Sequence, residues 1–269
     1  MEKVTSKDGT EIAFDRVGEG PPLVVVGGAL NDRENTAELA EMLAPHATVF
    51  NYDRRGRGDS GDTAPYAVQR EIEDLQAIID EAGGSAMLFA HCTAGMLALE
   101  AVAQGLPITR LALYEPPYIV GDSGLRLTEE FKQLLTEHLD KGEPGEAVAH
   151  FLIRTVGFPP EAVPKFRAMP IWPKLEKLAV TLPYDVTLAA DNWMPPQTRL
   201  DEITLPSMLI YGTNSPGWQI ESVKVLAEKL PNSETRVLEG SNHDLEAESV
   251  APVLKEFVAA ARSARSGND

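Results

Sequence analysis

The chain has 269 residues, 43% of them hydrophobic, enough for one large domain or a domain carrying an insertion. Acidic residues outnumber basic ones 41 to 24, and the formal charge of −17 repels phosphate backbones and anionic lipid, which argues against nucleic acid and membrane partners. A single cysteine excludes an internal disulfide and a multi-thiolate metal site.

The opening stretch "MEKVTSKDGTEIAF" holds no apolar run of signal-peptide length, and no segment has the length and apolarity of a membrane span, so the expectation is a cytoplasmic protein with a reduced thiol. "TEIAFDRVG" alternates like an early strand, and "PPLVVVGG" is uniformly apolar, like a buried parallel strand. Further strands are predicted in "ATVFNYD", "SAMLFAH", "ITRLALYE", "PSMLIYG" and "TRVLEG". Helical patterns lie between them, in "NTAELAEMLAP", "YAVQREIEDLQAIIDEAG", "AGMLALEAVAQG", "IESVKVLAEKLP" and "AESVAPVLKEFVAAARSA". In the second of these Val68, Ile72, Leu75 and Ile79 recur at helical spacing, and Gly83-Gly84 ends the run. Alternating strands and helices define an α/β class, a doubly wound and mostly parallel sheet.

From Pro116 to about Leu205 the rhythm breaks. Helical segments "LTEEFKQLLTEHLDKG", "EPGEAVAHFLIRTVG" and "PIWPKLEKLAVTLPYDVTLAAD" are punctuated by Pro159, Pro160, Pro164, Pro170 and Pro173. The expected organisation is a core of residues 1–115 and 206–269 with a helical insertion over 116–205, lying across one end of the sheet. The "SARSGND" tail reads as disordered.

"LFAHCTAGM" carries the chemistry. Cys92 follows an apolar strand and precedes a helix, with Ala90 and Ala94 as small neighbours, the setting of a nucleophile elbow. A helix N-terminus favours the thiolate. An inert buried thiol is the alternative. His243, in "RVLEGSNHDLEAE", falls in the loop after the last strand, at the sheet edge where the elbow opens, and is the expected base. His46, His138 and His150 read as structural, and His91 as packing or hydrogen-bonding beneath the elbow. After "VVVGG", the backbone N–H of Ala29 would face the developing charge together with that of Thr93, forming an oxyanion hole.

"NYDRRGRGDSGDT" matches a D-x-R-G-x-G-x-S turn through Asp53, Arg55, Gly56, Gly58 and Ser60. With it the chain resembles the α/β-hydrolase fold superfamily from end to end, with a helical cap insertion. The turn reads as a fold signature, a tight loop pinned by an Asp and an Arg. The resemblance implies a third, acidic member, commonly in a G-x-x-D pattern after the penultimate strand. Here that stretch is "IYGTNSPGW", and Ser215 stands in the slot. A second placement, as in some haloalkane dehalogenases, is the end of the strand after the elbow helix, which is Glu115 in "LALYEPPY". The alternatives are a solvated Glu115, a Glu115 paired with Arg55, or an acid from Asp185 or Asp191.

These residues imply an acyl-transfer hydrolase, an esterase, lactonase or thioesterase using Cys92, His243 and Glu115 through a thioester. Dienelactone hydrolases of the same superfamily also carry an elbow cysteine. An acyltransferase or cyclase on the same fold stays open, as do a lyase and a non-enzymatic ligand-binding protein with a retired pocket. Trp172, Trp193, Phe151, Phe158 and Met194 suggest an apolar small-molecule acyl substrate, the alternative being that each of them holds the insertion together. "VVVGG" lacks dinucleotide spacing and no metal-ligand cluster is visible, so no cofactor is expected. Oligomeric state is not written in the composition.

Overall fold

The computed structural model describes residues 1–121, 126–189 and 193–266. Strands β1 (Glu2–Thr5), β2 (Glu11–Val17), β3 (Pro22–Val26), β4 (Thr48–Tyr52), β5 (Ala86–His91), β6 (Ile108–Tyr114), β7 (Ser207–Gly212) and β8 (Ser233–Leu238) form one sheet in the order β1-β2-β4-β3-β5-β6-β7-β8. The β1–β2 and β2–β4 pairs are antiparallel, and the pairs from β4 through β8 are parallel. This is the doubly wound, mostly parallel sheet expected from the alternation of elements, in the α/β-hydrolase arrangement that the resemblance implies.

The sheet is covered on both sides by helices. α1 (Ala37–Leu43), α2 (Val68–Glu81) and α3 (Thr93–Ala103) follow β3, β4 and β5. Between β6 and β7 lie α4 (Glu129–Asp140), α5 (Pro144–Phe151), α6 (Val163–Arg167), α7 (Trp172–Leu178), α8 (Leu182–Ala189) and α9 (Gln197–Leu200). α10 (Gly217–Lys229) and α11 (Ala247–Ser266) complete the wrapping. The period of two in the central strands divides the core. Leu23 and Val25 of β3 pack with α1 and α11, while Val24 and Val26 pack with α2, α3 and the helices between β6 and β7.

α11 continues through Ser266, so most of "SARSGND" is helical rather than disordered, and Gly267, Asn268 and Asp269 lie outside the described residues. Apolar positions in α11 dock it on the sheet, and Val250, Leu254, Phe257 and Val258 are fully buried. No helix among the described residues is long and apolar enough to cross a membrane.

The glycine-rich turn after β4 is tied down from several sides. Asp53 accepts the Arg33 N–H at 2.7 Å and the Asp59 N–H at 2.9 Å. Ser60 Oγ donates to the Asp53 carbonyl at 2.7 Å and accepts the Ala13 N–H at 2.9 Å. Arg55 turns away to Asp74, at 2.7 and 2.8 Å, and to Asp8 at 3.0 Å.

Candidate active site

β5 runs directly into α3, and Cys92 is the single residue between them, with φ 56° and ψ −131°. A side-chain-bearing residue adopts this left-handed backbone only where its surroundings impose it. Here the Cys92 N–H donates to the Tyr114 carbonyl at 2.9 Å, and the Gly95 N–H closes on the Cys92 carbonyl at 2.9 Å. Ala90 and Ala94 are completely buried, so the small flanks expected at the elbow are needed for close packing. Gly28 meets the elbow from β3. A Cβ there would lie 2.5 Å from the Cys92 Cβ and 2.9 Å from the His91 carbonyl, so only glycine lets the two backbones approach this closely.

The loop after Gly28 folds tightly on itself. Leu30 also has a positive φ, 55°, and Asn31 Nδ2 donates to the Ala29 carbonyl at 2.8 Å. Among the described residues no acceptor engages the backbone N–H of Ala29 or of Thr93. Both residues line a cavity of about 430 Å³ that also contains Cys92 and His243.

His243 lies between β8 and α11. His91 Nε2 is 2.9 Å from the His243 carbonyl, and Tyr114 Oη donates to the carbonyl of Asn242, so the strands beneath hold the loop. His91 therefore carries its proton on Nε2. Burial, reinforced by the neighbouring His243 ring, depresses its pKa to about 3 and keeps it neutral. Of the two roles read for His91, the hydrogen bond to the histidine loop is the one this geometry shows.

His243 Nδ1 lies 2.7 Å from Glu115 Oε2. Burial opposes charging of this ring, but the Cys92 sulfur and then the Glu115 carboxylate overcome it and raise the His243 pKa to about 10. Glu115 is completely buried, with φ 48° at the end of β6. Its Oε1 accepts the Gly212 N–H at 2.8 Å and Ser215 Oγ at 2.6 Å. It is neither solvated nor paired with Arg55. Ser215, read from sequence as an empty acid slot, donates to the carboxylate that addresses the histidine.

Asp185 is completely buried but lies away from the histidine, on Arg54, Arg57 and Thr93, and Asp191 lies outside the described residues. Sequence reasoning also passed over Gln219 on α10. It is buried, its amide nitrogen is 3.1 Å from His243 Nδ1, and its amide oxygen has no partner among the described residues. A ring donating Nδ1–H to Glu115 has no lone pair there, so the amide belongs turned over, with its oxygen toward the ring. No local pattern marks such a residue; it depends on α10 packing beside the histidine loop.

The segment between β6 and β7 walls the cavity with Leu127, Phe151, Leu152, Phe166 and Leu175, and α10 adds Trp218. Of the five large side chains singled out by sequence, only Phe151 faces it. Trp172 is buried against Phe166 with Nε1 on Glu176, Phe158 packs on Phe166, Trp193 is 48% exposed beside Arg126, and Met194 lies off the lining. Among the described residues no group of three or more His, Cys, Asp or Glu side chains could hold a metal ion.

A nucleophile-type elbow at the carboxyl end of a mostly parallel sheet, with a histidine loop after the last strand, defines the α/β-hydrolase class. The model of the Alpha/beta hydrolase family matches residues 23–256. The chain belongs to this family. A solved alpha/beta hydrolase from Sphaerobacter thermophilus is similar at 48% identity and TM-score 0.89, over 95% of this chain and 99% of that one. A thermophilic esterase from Thermogutta terrifontis shares the fold at 22% identity and TM-score 0.74, over 96% of this chain and 97% of its own. The enol-lactonase from Burkholderia xenovorans does so at 19% identity and TM-score 0.71, over 96% and 98%.

Proposed function

We propose that this protein hydrolyses small carboxylic esters or lactones with an apolar acyl group, through a Cys92–His243–Glu115 triad and a thioester acyl-enzyme. The observation that carries the reading is the 2.7 Å contact from a fully buried Glu115 to His243, which lines the same cavity as Cys92. The esterase and enol-lactonase among the structural neighbours are compatible with it.

In this reading the Cys92 thiolate adds to the carbonyl, and the Ala29 and Thr93 N–H groups hold the tetrahedral oxyanion. As the C–O bond breaks, His243 Nε2 gives its proton to the departing alkoxide, while Glu115 keeps the ring oriented and stabilises its charged form. The neutral ring then takes a proton from water, which adds to the thioester; the C–S bond breaks and the acid leaves. Residues 116–205 act as a cap over the core of 1–115 and 206–269, and the mainly aliphatic wall limits the acyl group to what about 430 Å³ holds. A reduced, cytoplasmic thiol suits this chemistry.

The test is a panel of p-nitrophenyl esters and aryl lactones on the wild type and Cys92→Ala, with product analysis in the presence and absence of an added alcohol or amine. Turnover of short apolar acyl groups to the free acid, lost in Cys92→Ala, is the expected result. An amide or new ester as the main product makes it an acyltransferase, and saturable binding without turnover makes it a binding protein.

A further inference from the structure

Asp185 sits on α8, in the segment between β6 and β7, yet its carboxylate is wholly shielded from solvent. Its Oδ1 accepts from Arg54 Nη1 and from Thr93 Oγ1, each at 2.8 Å, and its Oδ2 accepts from Arg57 Nη2 at 2.8 Å. Arg54 is fixed in turn by both oxygens of Glu71, at 2.6 Å each, and Glu71 Oε1 also accepts Tyr66 Oη at 2.8 Å. The other terminal nitrogen of Arg57 donates to the carbonyl of Gly28. Arg57 fills a position that the D-x-R-G-x-G-x-S pattern leaves free.

One carboxylate thus reaches both sides of the oxyanion hole. On one side it holds the hydroxyl of Thr93, the residue whose N–H follows the nucleophile. On the other it braces the guanidinium that grips the Gly28 carbonyl. The Gly28–Ala29 peptide is trans, as the one cis bond described is Ala64–Pro65, so its carbonyl and the Ala29 N–H point in opposite directions. Anchoring the carbonyl on Arg57 therefore points the Ala29 N–H away from Arg57, and Ala29 lines the cavity together with Cys92. Two guanidinium groups against two carboxylates leave the cluster neutral, so its effect on the site is directional rather than a gain of positive charge. A buried ion cluster is in general weak as a source of stability, which makes geometry the natural reason for this one.

We propose that Asp185 and Arg57 are positioning residues that aim the two backbone donors of the oxyanion hole, so that α8 is part of the catalytic centre and not only a cover over it. This rests on the acyl-transfer reading above.

The experiment compares two reactions of the same sulfur. p-Nitrophenyl acetate forms the S–C(acyl) bond through a tetrahedral oxyanion and expels p-nitrophenolate. Iodoacetamide forms an S–C bond by direct displacement of iodide, with no oxyanion. In Asp185→Asn, acylation of Cys92 falls about 10- to 100-fold while alkylation stays within about twofold, since a misaimed donor costs less than the 10²- to 10³-fold of a deleted one. Thr93→Val keeps the N–H and all four charges but loses the bond to Asp185; about a fivefold fall in acylation alone is expected, and this variant decides the matter if Asp185→Asn does not fold. Parallel losses in both reactions, or no loss in either, overturn the proposal. A wild type that is alkylated at Cys92 but never acylated overturns the hydrolytic reading, and this inference with it.

Discussion

Replacing Glu115 by glutamine keeps the outline of a completely buried side chain and removes its charge. Two donors converge on Oε1, Gly212 N–H at 2.8 Å and Ser215 Oγ at 2.6 Å, whereas Oε2 receives His243 Nδ1 at 2.7 Å. The Gly212 N–H cannot turn aside, so the amide oxygen takes the Oε1 place and the NH2 group faces the ring. Two donors cannot share that contact. The charged ring that partners the Cys92 thiolate loses its anionic acceptor at Nδ1, so the imidazolium is no longer stabilised or held in place. A hydrogen bond to a charged group contributes about 1.5–3 kcal/mol, so at about 1.4 kcal/mol per decade kcat/KM should fall about 10- to 150-fold. The assay is steady-state hydrolysis of p-nitrophenyl acetate, with near-UV circular dichroism to establish that the variant is folded. A folded Glu115→Gln protein within about twofold of wild type would refute the reasoning.

Four further outcomes follow from the same geometry. The His243 ring should titrate near pH 10 by nitrogen-detected NMR and lose more than about one pH unit of that in Cys92→Ala, where the sulfur is gone. Because this value lies above the ordinary 6.5, the stability it contributes is complete below about pH 6.5 and is lost as pH rises through about 10; the Tm difference between wild type and His243→Ala should shrink over that window, and a constant difference would contradict the assignment. In Gly28→Ala the new methyl group would lie 2.5 Å from the Cys92 Cβ and against the His91 carbonyl, neither of which is a flexible end. Ester turnover should drop more than about 100-fold as the oxyanion loop is displaced, and near-wild-type turnover would show that the loop is not part of the site. Ser215→Ala leaves Glu115 Oε1 with Gly212 N–H alone, and urea unfolding should report a loss of about 1–2 kcal/mol with only a few-fold change in rate. An unchanged unfolding midpoint would count against the bond.

The central strands were legible because β3 and β5 are apolar on both faces, as strands sandwiched between helix layers must be. β1 escaped notice because Glu2, Lys3 and Thr5 are exposed on an edge and carry no alternation. Cys92 is singled out by its strand–turn–helix setting, His243 by its loop after the last strand, and Glu115 by the second acid placement that the resemblance implies, at the end of the strand after the elbow helix. What Ser215 does could not be read, since its partner is 100 residues away and its meaning changes once the acid has moved to β6. The same holds for Asp185, tied to residues 92, 128 and 131 positions earlier. The aromatic side chains of the insertion could not be divided between lining the cavity and packing the segment together, because size says nothing about facing. Trp172 and Phe158 are used up in packing the helices on one another.

The most direct test of a covalent Cys92 mechanism is intact-protein mass spectrometry after rapid mixing with p-nitrophenyl acetate and acid quench. The account predicts one added acetyl group in the wild type, mapped to Cys92, released by neutral hydroxylamine as a thioester is, and absent from Cys92→Ala. Full turnover without any adduct, or an acetyl group on Cys92→Ala with activity retained, would contradict it.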